Sequence, residues 1–295
     1  MSRPENVLYD EPGPRARRRA LVGTVVAGLL LLGVIGLAVR KLAQEGQFDM
    51  ELWGPLIDPG NESFRDVWRL LGRGLQATLI SAVLAIVLSL VVGTLLGTLR
   101  LRLGRWSRMP VVGVIELLRG LPVVITIFFV WQVLPETPIN VGPLPGEDGL
   151  WYLVIGLTLY NSVIIAEIIR AGVLSLPRGQ GEAARAVGMT EGQVMSTVLL
   201  PQAFRTMLPA LISQLVVVLK DTSLAAVLGL YLETLRRANL IAQNLDNPIQ
   251  VLTVVGLMFI VINYALSRLA VWTERRVSRS GFRPEAAEAE VTAGA

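Results

Sequence analysis

The stretch GQGEAARAVGMTEGQVMSTVLLPQAFR, Gly179–Arg205, is polar and helix-forming, yet it lies between two strongly apolar segments. Pro177 and Gly179 in SLPRGQ interrupt the helix that precedes it. Glu182 to Val187 are good helix formers, and Gly188 breaks the run. TEGQVMSTVLL then resumes it, with Thr190 as a cap that Gln193 can answer. Pro201 is expected to end the unit. The result is a helix, a glycine turn and a second helix. Ala183 and Ala184 are small enough to let another surface approach, and Gly188 lets the backbone turn. Two uses fit such an insert: a stiff lever that a partner pushes, and an amphipathic helix lying on lipid.

The sequence around the insert belongs to a membrane protein. Of 295 residues, 53% are hydrophobic and 17% charged, and the mean hydropathy is +0.57. A soluble domain carries about 25% charged residues. The absence of cysteine excludes a disulfide framework and thiol chemistry, and the absence of histidine removes most zinc sites and the commonest general base. A net charge of +4 is too small to argue for nucleic acid.

Apolar runs at Ala20–Val39, Leu75–Leu99, Val111–Leu134, Leu150–Gly172, Ala203–Leu219 and Ile249–Trp272 predict six spans. Each is expected to be helical, because lipid cannot satisfy backbone polar groups and the runs are too long for barrel strands. The first run follows a long polar lead and no small-x-small cleavage site follows it, so it is expected to be a retained span rather than a signal peptide. The N-tail, the loop at 100–110, the insert and the tail after 272 hold fifteen Lys and Arg, whereas the alternate segments, leaving out Lys220 and Asp221 at the end of the fifth span, hold seven, with eleven acids. The positive-inside rule therefore puts both termini and the insert in the cytoplasm. The expected division is a cytoplasmic N-tail (1–19), a first span (20–39), an external loop (40–74) and a core (75–272) containing the insert (176–202). A cytoplasmic tail (273–295) follows, whose composition predicts disorder.

Ionisable and amide side chains inside the spans need a reason to be there. Glu116 and Arg119, and Glu167 and Arg170, are spaced three apart, so each pair shares a helix face in the cytoplasmic half. They read as structural ion pairs or as an inner gate. Lys220 lies about 26 Å along its span, near the outer end. There Asp221, Thr222 or Ser223 can cap a new helix, giving a broken helix with Lys220 on the carbonyls of one piece. Either a plain cap or an outer gate accounts for it. Ser89, Thr126, Tyr160, Asn161, Ser162 and Gln214 fall near the midplane, where a polar substrate needs hydrogen-bonding groups. Lone hydroxyls usually bond back to their own helix, whereas Asn161 and Gln214 cost more to bury unpaired.

The ordered set Glu182-Ala183-Ala184, Gly188 and Val198-x-Leu200-Pro201 resembles the EAA loop of ABC importer permeases. ELLRGLP (Glu116–Pro122), AEIIRAGVLSLPRGQGEAARAVGM and LPQAFRTMLPALISQLVVVLKDTSL resemble the polar amino-acid subfamily of these permeases, over about residues 70–272. The extra N-terminal span is similar to that of actinobacterial glutamate-type permeases. The resemblance implies an all-α polytopic fold with a five-helix core plus one additional helix. It implies coupling to a separate ATPase dimer through Glu182, Ala183, Ala184, Gly188, Leu200 and Pro201. ATP and Mg²⁺ then belong to that partner, and no cofactor is expected on this chain, which has no G-x-x-x-x-G-K-[ST]. Further implied partners are a second permease subunit, identical or a paralogue, and an extracytoplasmic substrate-binding protein. A permease for another small polar solute and a secondary transporter working alone are the alternatives. A membrane-embedded enzyme is left with little chemistry.

Overall fold

The computed structural model describes residues 13–278, which are helical and contain no strand. Most of the expected N-tail, and the acidic tail beyond Ser278, lie outside these described residues. Helix α1 (Pro14–Gln44) opens at Pro14, where a missing N–H costs nothing, and buries none of its residues. Its large apolar side chains are about half exposed or more, and Leu21, Leu29 and Leu37 are more than three-fifths exposed, as suits a helix surrounded by lipid.

The stretch 40–74, expected to be a loop, is mostly helical. It holds the end of α1, then α2 (Met50–Ile57) and the first turns of α3 (Phe64–Arg102). Helix α3 starts well before its apolar run because Val67 and Leu71, four apart, face a core shared with Leu56, Ala238, Ile241, Val251 and Val255. Polar side chains tie this end together. Trp68 Nε1 donates to Leu56 O at 3.0 Å, and Asn247 Nδ2 donates to Leu52 O at 3.0 Å.

The third expected span is two helices rather than one. Helix α4 (Met109–Gly120) and α5 (Val123–Val133) meet at 110°. Leu121 precedes Pro122 and is extended, at φ −92° and ψ 141°, which is what proline imposes on the residue before it. Helix α6 (Asp148–Ser175) follows and is the central one, with half of its residues buried. The insert comes next as α7 (Arg178–Ala186) and α8 (Glu191–Gln193), which opens into a π-helical stretch at Val194–Leu199.

Pro201 does not end the unit. It sits in the first turn of α9 (Leu200–Asp221), which continues the same rod. A proline has no N–H to give to an i−4 carbonyl, and the wider π turn just before it accommodates that loss. Short α10 (Leu224–Leu228), α11 (Thr234–Leu245) and α12 (Pro248–Ser278) complete the described residues. Among the described residues five segments are long and apolar enough to cross a membrane, or six if the bent α4–α5 pair counts as one span.

Candidate functional site: a helical insert and a buried amide pair

The insert folds as its local chemistry dictates. Thr190 Oγ1 accepts from the Gln193 N–H, and Gln193 Oε1 accepts from the Thr190 N–H at 2.9 Å, a complete capping box. Gly188 has φ +87°, a left-handed value that costs an L side chain but not glycine. Across this turn Arg185 forms a bidentate pair with Glu191, at 2.6 and 3.1 Å, which locks α7 against α8.

The two small alanines have different roles. Ala184 points inward and is 7% exposed, whereas Ala183 faces out beside Glu182 and Val187. Val194 and Met195 are buried too, and Met195 packs with Val173 near the end of α6 and Ala203 near the start of α9. The inner face of the insert is thus covered by protein rather than lipid. Leu200 is half-buried and Pro201 exposed.

The charged residues pair differently from their spacing. Glu167 and Arg170 do meet, at 3.0 Å. Glu116 pairs with Arg100 at 3.6 Å, not with Arg119, which is exposed and has no ion pair among the described residues. Arg100 also bonds Glu167, so one guanidinium joins α3, α4 and α6. A three-residue spacing places Glu116 and Arg119 on one face, but Arg100 offers Glu116 a partner from another helix.

Asn161 on α6 and Gln214 on α9 meet. Gln214 Nε2 donates to Asn161 Oδ1 at 2.7 Å, and Asn161 Nδ2 donates to Leu157 O at 2.9 Å. Asn161 is fully buried and Gln214 half-buried. Of the hydroxyls nearby, Ser162 bonds back to Leu159 O at 3.0 Å. Ser89 and Thr126, expected to bond back likewise, are buried with no hydrogen-bond partner among the described residues, as is Thr158. Tyr160 is half-buried.

At the other end, α9 stops at Asp221 and α10 begins at Leu224, so the interruption follows Asp221. No side chain caps α10: Ser223 makes no capping bond, and Thr222 Oγ1 donates back to Leu219 O at 2.7 Å. The two pieces remain one rod with a tightened turn. Lys220 instead lines a cavity of about 430 Å³ with Ser223, Phe259, Ile260 and Asn263.

Several polar features escape a reading by spacing. Glu233 is fully buried and caps α11, its carboxylate accepting from the N–H groups of Leu235 and Arg236, both at 2.7 Å. Burial pushes its pKa up to about 7, against those two hydrogen bonds. Thr78 and Thr234 meet through their hydroxyls at 2.7 Å. The small residues Ala85, Ser89, Gly93 and Gly97 form a four-residue repeat on α3 that lets α6 come close. That repeat was legible in the sequence.

Comparisons with known proteins agree on one family. Residues 89–279 match the family described as binding-protein-dependent transport system inner membrane component. The chain is 40% identical over 242 residues to the glutamate transport system permease protein GluD of Corynebacterium glutamicum, covering 80% of this chain and 83% of that one. It is 35% identical over 174 residues to the probable glutamine ABC transporter permease protein GlnP of Bacillus subtilis, covering 56% of this chain and 77% of that one. Among solved structures, an amino acid ABC transporter with histidines superposes at a TM-score of 0.63 and 27% identity, over 72% of this chain and 97% of that chain.

Proposed function

Because the chain belongs to the family of binding-protein-dependent transport system inner membrane components, we propose that it carries glutamate or a closely related polar amino acid by alternating access. It is a permease subunit of an amino-acid ABC importer and a multi-pass inner membrane protein, and ATP hydrolysis belongs to a separate subunit. The family implies an ATPase and a substrate-binding protein as partners. In our reading the full assembly has two ATPases and a second permease, and the charge count puts both termini and α7 on the cytoplasmic side.

One observation carries the mechanism. The two helices that leave the insert, α6 and α9, are the two that hold the amide pair. The exposed Glu182, Ala183 and Val187 offer the ATPase its contact, with Gly188 as the turn that sets their direction. The Arg185–Glu191 clamp makes the insert rigid, so a push on α7 passes through Ala184, Val194 and Met195 to the base of α6 and α9. Sliding α6 past α9 breaks the Asn161–Gln214 bond. Each amide then presents donors and an acceptor to a zwitterionic substrate. The Arg100–Glu116–Glu167–Arg170 network rearranges with the same motion, as an inner gate.

The test is uptake of labelled glutamate, aspartate, glutamine and a non-amino-acid solute by the complex reconstituted with its ATPase and binding protein. Asn161→Leu and Gln214→Leu should lower uptake while assembly and basal ATPase activity stay at the parental level. Parental rate and half-saturation in both variants would remove the amides from the path. Preference for the non-amino-acid solute would remove the substrate assignment.

A further inference from the structure

A cleft of about 640 Å³ lies at the end of the spans where α3 turns into α4, beside the last turn of α6. Arg100, Arg105, Arg108 and Arg170 line it, together with the apolar side chains of Met109 and Leu174. Arg100 and Arg170 are already committed to Glu167, and Arg100 also to Glu116. Arg105 and Arg108 are exposed and have no acidic partner among the described residues. Trp106, between them, is 77% exposed, the large side chain most at home at a membrane–water boundary. The same end of the molecule carries the insert, since the Arg102 guanidinium lies 3.3 Å from the position a side chain at Gly192 would take.

We propose that this cleft binds an anionic phospholipid, with its phosphate between Arg105 and Arg108 and its first acyl carbons along Met109 and Leu174. Three observations converge on that occupant. The two unpaired guanidiniums each present several N–H donors in a fork that suits phosphate oxygens. The wall next to them is apolar, which an inorganic anion does not need and an acyl chain does. The cleft lies at the ends of helices long and apolar enough to span, the level at which basic pockets between helices would meet negatively charged lipid. Such a lipid would brace the α3–α4 turn directly above the Arg100–Glu167 pair. The inference needs only that α3 and α6 span the membrane and is independent of the transported solute.

The experiment measures lipid retained by the detergent-solubilised full chain after titration with dioleoyl phosphatidylglycerol, cardiolipin or dioleoyl phosphatidylcholine, read by native mass spectrometry. The parental chain should retain phosphatidylglycerol and cardiolipin and release phosphatidylcholine. Arg105→Gln with Arg108→Gln should weaken retention roughly thirtyfold, from about fivefold for each guanidinium. Arg205→Gln, an exposed arginine outside the cleft, should leave it unchanged. Quenching of the Trp106 part of the fluorescence by brominated phosphatidylglycerol, defined by difference from Trp106→Phe, should disappear in the double variant. Equal loss in Arg205→Gln would overturn the site in favour of diffuse surface charge. Equal retention of phosphatidylcholine would overturn it, and so would displacement by millimolar inorganic phosphate, which would mean a free anion. An unchanged lipid titration in the double variant, with lost binding of the ATPase instead, would assign the arginines to an acidic protein surface and refute the lipid.

Discussion

Replacing Gly93 by alanine should weaken the packing of α3 on α6 and disturb the amide pair one residue away. A methyl group at Gly93 would lie 2.7 Å from both Ser162 O and Ile165 Cγ2, and 2.8 Å from Ile165 Cβ. Uncrowded carbon contacts lie at about 3.5–4.0 Å, so the helices must part by about 1 Å. Ile165 can rotate, but Ser162 O is backbone and moves only with α6 itself. Adding a methyl to a tight core costs about 1–3 kcal/mol. Against this stands the better helix propensity of alanine, about 1 kcal/mol in its favour. Gly72→Ala on the same helix isolates that second contribution, because nothing lies within 4 Å of its added carbon. The stability gap between the two variants should therefore be about 1–3 kcal/mol. Unfolding of the purified chain by rising sodium dodecyl sulfate fraction, followed by circular dichroism, measures it. Since Ser162 adjoins Asn161, uptake by the complex should fall in Gly93→Ala and not in Gly72→Ala. A Gly93→Ala protein that unfolds at the same detergent fraction as Gly72→Ala, or later, refutes the close-contact argument.

Glu233 predicts a pH dependence of stability. Its folded pKa, about 7, lies above the ordinary glutamate value of the unfolded chain, so the folded state binds the extra proton between the two. Stability from this group is full below the unfolded value and is lost as pH rises toward and through 7; thermal midpoints from pH 5 to 8 should fall, and Glu233→Gln should flatten the slope. Glu167→Gln leaves Arg100 and Arg170 without their shared carboxylate and should cost about 2 kcal/mol, partly recovered by Arg100→Gln, in a double-mutant cycle of unfolding free energies. Gly188→Ala meets no atom within 4 Å but forces alanine to φ +87°, a strain of about 1–3 kcal/mol. The variant should insert normally and yet hydrolyse ATP in the complex without matching uptake; coupled transport at the parental ratio would count against α7 as the lever.

Some of this protein follows from its sequence alone, because the rules involved act over a few residues. The spans are helical since lipid offers no hydrogen bonds, and their positions follow from the apolar runs. The Thr190–Gln193 box and the Gly188 turn need only their own neighbours. The shared depth of Asn161 and Gln214 follows from counting rises along two opposed helices, and their 2.7 Å hydrogen bond agrees with it. Pro122 carried the signal for the α4–α5 bend, but the length of the apolar run outweighed it in the reading of one straight span. What only the tertiary structure decided are partners distant in sequence. Glu167 takes Arg100 from 67 residues away, and Thr78 meets Thr234 across 156. Glu116 faces Arg100 rather than Arg119 because the rotation of each helix about its axis, fixed by packing, selects which side chains meet. The small residues of α3 become a close contact only once α6 is seated on them. Spacing along one helix lists the faces available, and packing between helices chooses among them.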